Sequence, residues 1–584
     1  MRILQYVVFA MLFSAALFAQ SGTYAITDVS LIPMDRDTVL QHQTVLIEKD
    51  KITAVGPAKS TKAPEGAQLI DGRGKFLIPG LTDTHVHLLT TSELPLYLVN
   101  GVTTVFNLDG RPAHLLWKKQ IADGKLLGPT IFSTGPIFYG ANNVQAAVKE
   151  VDDDAGAGYD GFKIYNPVKK DQYAAVADEV HKKNLLFIGH IARDPDVDMT
   201  LNAGQSIAHM EEFTYTYFNT KRSRKTEDIV FDASKIPALA RQVKASGVYV
   251  VPTMDAFHDI VRQATDLKEF LTTPELKYVA PWVLAGFQPG VDRYANNFKP
   301  ERYQYLRDSY AFQLKLVKAF HDAGVPLMSG TDSMGVGPTA GFSTHNELQE
   351  MVKAGLTPFQ ALRTATTIPA TYLRSADQFG TIQAGKRADL VLLLANPLDN
   401  IDNTRKIAGV MVHGDWLDRT KMKSLLAALP AAYAAETAAL TRAVETDIAA
   451  ANKFEQERDP LNVLSAEALR NLVVNESFGA FEKDLNRAWK EDPNSFLVQE
   501  AAVNQLGYAL MGPKHIDDAV AVLKWNTEHY PKSPNTWDSL GEAYANAGDM
   551  TNAVASYRKA LAINTDYPNA MVAKRFVEEH GNGK

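Results

Sequence analysis

The sequence predicts an α/β protein. A (β/α)8 TIM-type barrel is flanked by a composite small β-sandwich domain and followed by an all-α tail. Three observations predict this. Eight short apolar segments alternate with amphipathic helical stretches over 79–370. Strand-like alternation stands on both sides of that region, at 20–78 and 371–419. Beyond 420 the chain is Ala-rich and carries a 34-residue repeat.

Residues 1–19 read as a secretory signal. Arg2 precedes an almost unbroken apolar run over 6–18, about 13 residues and short of the ~20 needed to span a bilayer. Cleavage near Ala19 would leave an exported, periplasmic or extracellular protein with no later membrane span. Next come expected strands at 24–32, 44–47, 52–55 and 76–78, with Asp71-Gly72-Arg73-Gly74 as a turn.

The expected barrel strands are 81–87, 103–107, 130–134, 161–165, 185–190, 206–209, 248–252 and 325–331. Asp171 and Ser234 stand at helix N-cap positions, and Gly204, Gly247, Gly324 and Gly355 close helices. Residues 255–300 exceed an ordinary loop and carry Phe257, Phe270, Trp282, Phe287 and Tyr294. An insertion after a barrel strand lies on the face where such folds build sites, so it is either a pocket wall or a packing excursion. Strands at 389–394 and 407–412 rejoin the N-terminal ones.

Residues 420–464 are a helical linker and 465–584 a repeat region. Val503-x2-Leu506-Gly507-x2-Leu510 recurs as Trp537-x2-Leu540-Gly541-x2-Tyr544, and Ala519-x3-Leu523 as Ala553-x3-Tyr557. This is the tetratricopeptide spacing; two units need a further cap, expected at 465–489. Such stacks offer concave surfaces, so the tail is a candidate contact for a protein partner or a second copy.

Composition narrows the chemistry. The 584 residues include 46% hydrophobic and 22% charged residues, as in a globular protein with a large core. The net charge of −7 gives no basic footprint for nucleic acid. With no cysteine, disulfides, thiolate metal sites and a cysteine nucleophile are excluded. A metal site must use His, Asp, Glu or a modified side chain.

His85 and His87 stand at i and i+2, so on a strand both imidazoles leave by one face. His190 and His209 end two further strands, Asp332 tips the eighth, and Lys163 lies inside an otherwise apolar strand. A buried lysine is costly unless paired or neutral. CO2 adding to its amine would give a carbamate able to act as a carboxylate ligand. These features converge on one rim. Arg193, Glu211, Glu212 and His345 are nearby candidates for substrate contact or support, each with an alternative as ordinary surface or capping polarity, and Tyr165, on the face of Lys163, is a candidate substrate contact.

The sequence resembles the imidazolonepropionase-like metal-dependent hydrolases of the amidohydrolase superfamily over about 24–417. The resemblance rests on Ile78-Pro79-Gly80-Leu81-Thr82-Asp83-Thr84-His85-Val86-His87, Gly101-Val102-Thr103-Thr104 and Ser329-Gly330-Thr331-Asp332. It extends to Glu347-Leu348, Gly355-Leu356-Thr357-Pro358 and Gly380-Thr381-Ile382-Gln383-Ala384-Gly385-Lys386-Arg387-Ala388-Asp389-Leu390.

The resemblance implies two divalent ions, usually zinc. His85, His87 and Asp332 would hold one, His190 and His209 the other, and carboxylated Lys163 would bridge them. Asp332 would also move the proton in a hydrolysis that uses a metal-bridging hydroxide. The implied substrate is a small amide, foremost a dipeptide or N-acyl amino acid. Two alternatives stay open: a mononuclear cyclic-amide hydrolase or deaminase, and an interaction protein with a relic metal site.

Overall fold

β-branched and aromatic residues alternate with polar ones between tight turns at the start of the chain, the pattern of half-buried strands. In the computed structural model, they form β1 (Thr23–Leu31), β2 (Leu40–Glu48), β3 (Lys51–Pro57), β4 (Gln68–Asp71) and β5 (Phe76–Pro79). Of these, β4 was not anticipated, and β2 is longer than expected. The structure describes residues 22–219, 228–289, 292–446, 469, 473–474 and 478–581, without 494, 513, 566 and 568. The signal segment 1–19 lies outside them, as do residues 447–464 of the linker and 465–468, 470–472 and 475–477 of the expected cap.

The following strands are short and largely buried on both faces, which suits parallel strands covered on either side. One parallel sheet contains β6 (Leu81–Val86), β7 (Val102–Asn107) and β8 (Thr130–Ser133). A second contains β9 (Gly161–Ile164), β10 (Leu186–Gly189), β11 (Ser206–Ala208) and β12 (Val250–Val251) in sequence order. A parallel bridge between Thr134 and Gly161 links β8 to β9.

The expected eighth strand is not regular. Residues 325–333 make single parallel bridges, Leu327 to Val250 and Ser333 to Val86. Pro326 has no N–H to give a ladder, although its carbonyl accepts from Val250 N at 3.1 Å. Residues of both sheets meet in one apolar cluster that includes Phe106, Ile188, Val251, Met328 and Phe379.

The returning strands β13 (Leu390–Leu393), β14 (Ile407–Val412) and β15 (Asp415–Asp418) complete the small β domain. Its order is β15-β14-β13-β5-β1-β2-β3, with β4 parallel to β1. The composite assembly expected from sequence is therefore present. The pairing is continuous, one eight-stranded sheet rather than two hydrogen-bonded layers. Leu77, Leu390 and Met411 share a core with Ile26 and Val45.

Two capping expectations fail. Lys169, not Asp171, precedes the helix Lys170–Lys182, and Asp171 sits in its first turn. Asp232, not Ser234, caps the turn at Ala233–Lys235, accepting from Ser234 N at 3.0 Å. The glycine stops hold: Gly204, Gly247, Gly324 and Gly355 all have positive φ.

Residues 255–300 are not an irregular insertion. Their first part is α1 (Met254–Phe270), an amphipathic helix with an apolar face, and short helical turns follow. α1 packs beside α2 (Phe342–Lys353), where Glu347 is 0% exposed. Its Oε2 accepts from Asp255 N at 2.8 Å, while its Oε1 is buried without a partner. Burial pushes its pKa from 4.5 to about 8.

The folded state thus keeps a proton that the unfolded chain releases near pH 4.5, and this stabilisation fades as pH rises toward 8. Glu347→Gln is expected to make unfolding free energy less steep between pH 5 and 8, by about 2–4 kcal/mol across the window. Urea unfolding at several pH values measures it. Parallel curves for variant and wild type would refute it.

The chain divides into two units: one runs to Tyr278 and resumes over Phe298–Leu429, the other joins Val279–Asn297 to 430–584. In the second unit Trp282 meets Tyr433 edge-on, with centroids 5.3 Å apart. Helices α3 (Phe478–Glu491), α4 (Glu500–Leu510), α5 (Ile516–His529), α6 (Pro534–Asn546), α7 (Met550–Ile563) and α8 (Ala570–His580) follow in succession. From α4 onward, sequential neighbours pack together.

The repeat is visible in the packing. A Cβ on Gly507 would fall 2.5 Å from Leu523, and one on Gly541 3.1 Å from the Tyr557 ring. Each pair spans the same step of the repeat, so each glycine lets two helices approach closely. Among the described residues no helix is long and apolar enough to cross a membrane.

Candidate active site

The site is built at the ends of β6, β9, β10 and β11 and on the segment 325–333. His85 is the penultimate residue of β6 and 0% exposed, and His87 follows the strand. Both present Nε2 to Asp332 Oδ1, at 3.2 Å and 3.0 Å. Lys163, in β9, is 1% exposed, and its Nζ lies 3.1 Å from His85 Nε2. The His209 ring lies 4.6 Å from those of both His85 and His190. The structure therefore gathers all six residues singled out from the sequence.

Backbone geometry makes this approach possible. His209, Thr253 and Asp332 each have positive φ, 73°, 50° and 56°. A non-glycine residue there costs about 1–3 kcal/mol, the kind of strain that collects at functional sites. A Cβ on Gly189 would fall 2.2 Å from Ile164 O, and one on Gly330 2.8 Å from His85 Cβ. Both glycines allow a site residue's strand end to close on its neighbour.

Three supporting contacts were not anticipated. Asp83 is fully buried. Its Oδ1 accepts from His85 N (3.2 Å) and Thr331 N (3.0 Å), its Oδ2 from the hydroxyls of Thr331 (2.7 Å) and Thr344 (3.2 Å). It ties β6 to the loop bearing Asp332, and burial pushes its pKa to about 7. His209 Nδ1 meets Thr253 Oγ1 at 2.8 Å. The chain after His87 is held by Asn107 Oδ1, which accepts from Leu88 N, and by His114 Nε2, which lies 3.0 Å from Leu88 O. The Asp83 signal was present in the sequence, two residues before His85 on the same strand.

The nearby candidates resolve individually. Glu212 is 2% exposed and binds His190 Nδ1 at 2.8 Å and Arg193 Nη1 at 2.6 Å. Burial alone would raise its pKa, but Arg193 and His190 outweigh it and hold it at about 2. Arg193, with a side chain 38% exposed, is paired with Glu212. Glu211 has a buried Oε2 without a partner, and burial with Glu212 beside it raises its pKa to about 8. Tyr165 stacks obliquely on His190 at 4.2 Å. His345 lies apart from the cluster: it is 1% exposed, on α2, with Nδ1 3.0 Å from Thr404 Oγ1. It neither caps a helix nor lies on the surface.

The donor set fits a divalent cation. One ligand atom each from His85, His209 and Asp332 lies within 4.8 Å of the others. Burial pushes His85 down to about 3 and His209 well below its usual range, so both stay neutral as ligands must. The contacts of His190 and His209 through Nδ1 leave Nε2 for the ion, the usual outer support of a metal-bound imidazole. Burial would raise Asp332, yet the three histidines around it hold it well below the usual carboxylate range. Burial lowers Lys163 to about 8, against the opposing pull of the Asp332 and Asp109 carboxylates.

The chain is similar to several known proteins. An imidazolonepropionase from a Geobacillus species is 23% identical over 385 residues, covering 61% of this chain and 84% of its own. The crystal structure of a Xaa-Pro dipeptidase with bound methionine superposes with a TM-score of 0.53 at 19% identity, over 68% of this chain and all of the other. A bottromycin amidohydrolase superposes with a TM-score of 0.58 at 24% identity, over 72% of this chain and 93% of its own. Residues 76–417 match the amidohydrolase family, more than half of the sequence. The chain therefore belongs to the amidohydrolase family and is a hydrolase.

Proposed function

We propose that this hydrolase is a binuclear metalloenzyme that cleaves the amide bond of a dipeptide or an N-acyl amino acid. The observation carrying the proposal is the placement of Asp332 Oδ1 against both His85 and His87, with Lys163 Nζ 3.1 Å from the same His85 nitrogen. His85, His87 and Asp332 would hold one ion, and His190 and His209 the second. Lys163 would join them as a carbamate, its neutral amine adding CO2 with loss of a proton. Bound divalent ions, zinc foremost, supply Lewis acidity and lower the pKa of water.

The chain's own residues do the rest. Asp332 accepts the proton of the attacking water and passes it to the departing amine nitrogen as the C–N bond breaks. Glu212 and Thr253 fix the rings of His190 and His209. Asp83 keeps the Asp332 loop against β6. Bridges on both flanks of the two parallel sheets support a closed eight-stranded barrel around this site.

A mononuclear reading draws on one observation: His85, His209 and Asp332 form the only tight donor group among the described residues. Metal content per chain separates the readings. We also propose export, with Gln20 as the first residue of the mature chain, which N-terminal sequencing would reveal. The tail would act as a tetratricopeptide docking stack, tested by removing 465–584. Unchanged turnover with lost assembly would support docking, whereas collapse of the catalytic unit would make the tail structural.

Amine release from a library of dipeptides and N-acyl amino acids, by zinc-loaded protein with and without chelator, tests the main proposal. Chelator-sensitive turnover of one compound class is expected. Silence across the library from protein holding two ions would remove these substrates.

A further inference from the structure

The segment after β8 does not turn away from the sheet. Phe138 N donates to Lys163 O at 2.9 Å, and Tyr165 N donates to Phe138 O at 3.0 Å. These bonds extend the pairing past the end of β9 and fix where the next side chain goes. Tyr139 lies with its ring 4.8 Å from that of Tyr165, and Tyr165 lies 4.2 Å from His190. Three rings thus run in a row from solvent to a residue of the candidate metal centre. The outer ring is 55% exposed, among the largest exposed apolar side chains of the chain.

A lone exposed tyrosine needs no explanation. This one follows Phe138, which two backbone hydrogen bonds hold against β9, and it continues a row that ends on a proposed ligand. A group lying against Tyr165 is therefore one ring contact from a proposed ligand, and one against Tyr139 is two. The interplanar angles, 52° and 59°, are tilted arrangements. Such a wall distinguishes a flat ring from a puckered one of similar apolar area.

We infer that Tyr139 and Tyr165 form a specificity subsite for a planar apolar group of the substrate. The inference rests on the amide-hydrolase reading for what the bound molecule is, but the ring preference can be measured separately.

The test uses full-length, metal-loaded protein and two probes that contain no amide, 3-phenylpropanol and 3-cyclohexylpropanol, followed by calorimetry or saturation-transfer NMR. Wild type is expected to bind the phenyl probe about three- to tenfold more tightly. Tyr139→Ala should bring the two within about twofold, and Tyr139→Phe should keep the preference, since the ring and not the hydroxyl acts. No preference in wild type, or the same preference in Tyr139→Ala, overturns the inference.

In parallel, kcat/KM is compared for amides carrying phenylalanine or cyclohexylalanine. A matching preference, lost in Tyr139→Ala, supports the subsite during turnover; its absence in turning-over enzyme overturns that role. If no amide is turned over while the probe preference holds, the hydrolase substrate reading falls and the ring subsite stands.

Discussion

Asp332→Asn is expected to lower kcat by about 10²–10⁴-fold, the range for losing a positioned general acid–base. The substitution is nearly isosteric, and asparagine tolerates the left-handed backbone that residue 332 adopts at φ 56°. The bond from its backbone N to His85 O, at 2.7 Å, is retained. Fold and stability should therefore change little. What is lost is the carboxylate that faces His85 and His87, and with it a proton acceptor and a charged ligand. Steady-state kinetics with metal analysis and a melting curve measure all three. A variant keeping kcat within tenfold of wild type would remove Asp332 from the proton path.

Lys163→Ala is expected to reduce metal content from two ions to at most one and turnover by at least about 10²-fold. The lysine is 1% exposed, and its Nζ lies beside a proposed histidine ligand, the place a bridging group would occupy. Truncation also removes buried methylenes, a loss of about 2–5 kcal/mol if the site does not collapse. A melting curve separates that effect from catalysis. Reloading stripped wild type with metal in CO2-free buffer should be slow and should accelerate with bicarbonate, and the alanine variant should not respond. Full activity and metal content in the variant would refute the binuclear reading and favour the single-ion one.

The sequence conveyed the βα alternation because each element carries its own period. Strands β6 to β12 end within about two residues of expectation, the usual error at element boundaries. The six site residues were legible for a related reason: a polar group at the end of an apolar strand stands out, and parallel strands bring such ends together. Their supports were less visible. Glu212 meets a histidine 22 residues away and Thr253 one 44 residues away, and only the folded chain decides those pairings. Asp83 looked like one residue of a motif until its contact with Thr331, 248 residues away, was seen.

The eighth strand failed because apolar character alone predicted it. Pro326 and Gly330 interrupt the ladder, and the close approach of Gly330 to His85 takes its place. The expected caps failed because each helical segment begins two residues earlier than the residue types suggested, a difference set by local φ and ψ. The second unit takes in part of the segment after β12, a grouping that no local pattern announces.

The composite sheet has a consequence for biosynthesis. β5 is bordered on one side by β1 and on the other by β13. A ribosome adding about 5–20 residues per second needs about 15–60 s to make the roughly 300 residues between β5 and its second neighbour. Throughout that interval the nascent chain carries an apolar strand edge that has no native partner yet. Such an edge invites pairing with other chains. The N-terminal strands of this protein are thus the segment most dependent on a holding chaperone, and folding of the small β domain must wait until almost all of the catalytic unit has been translated.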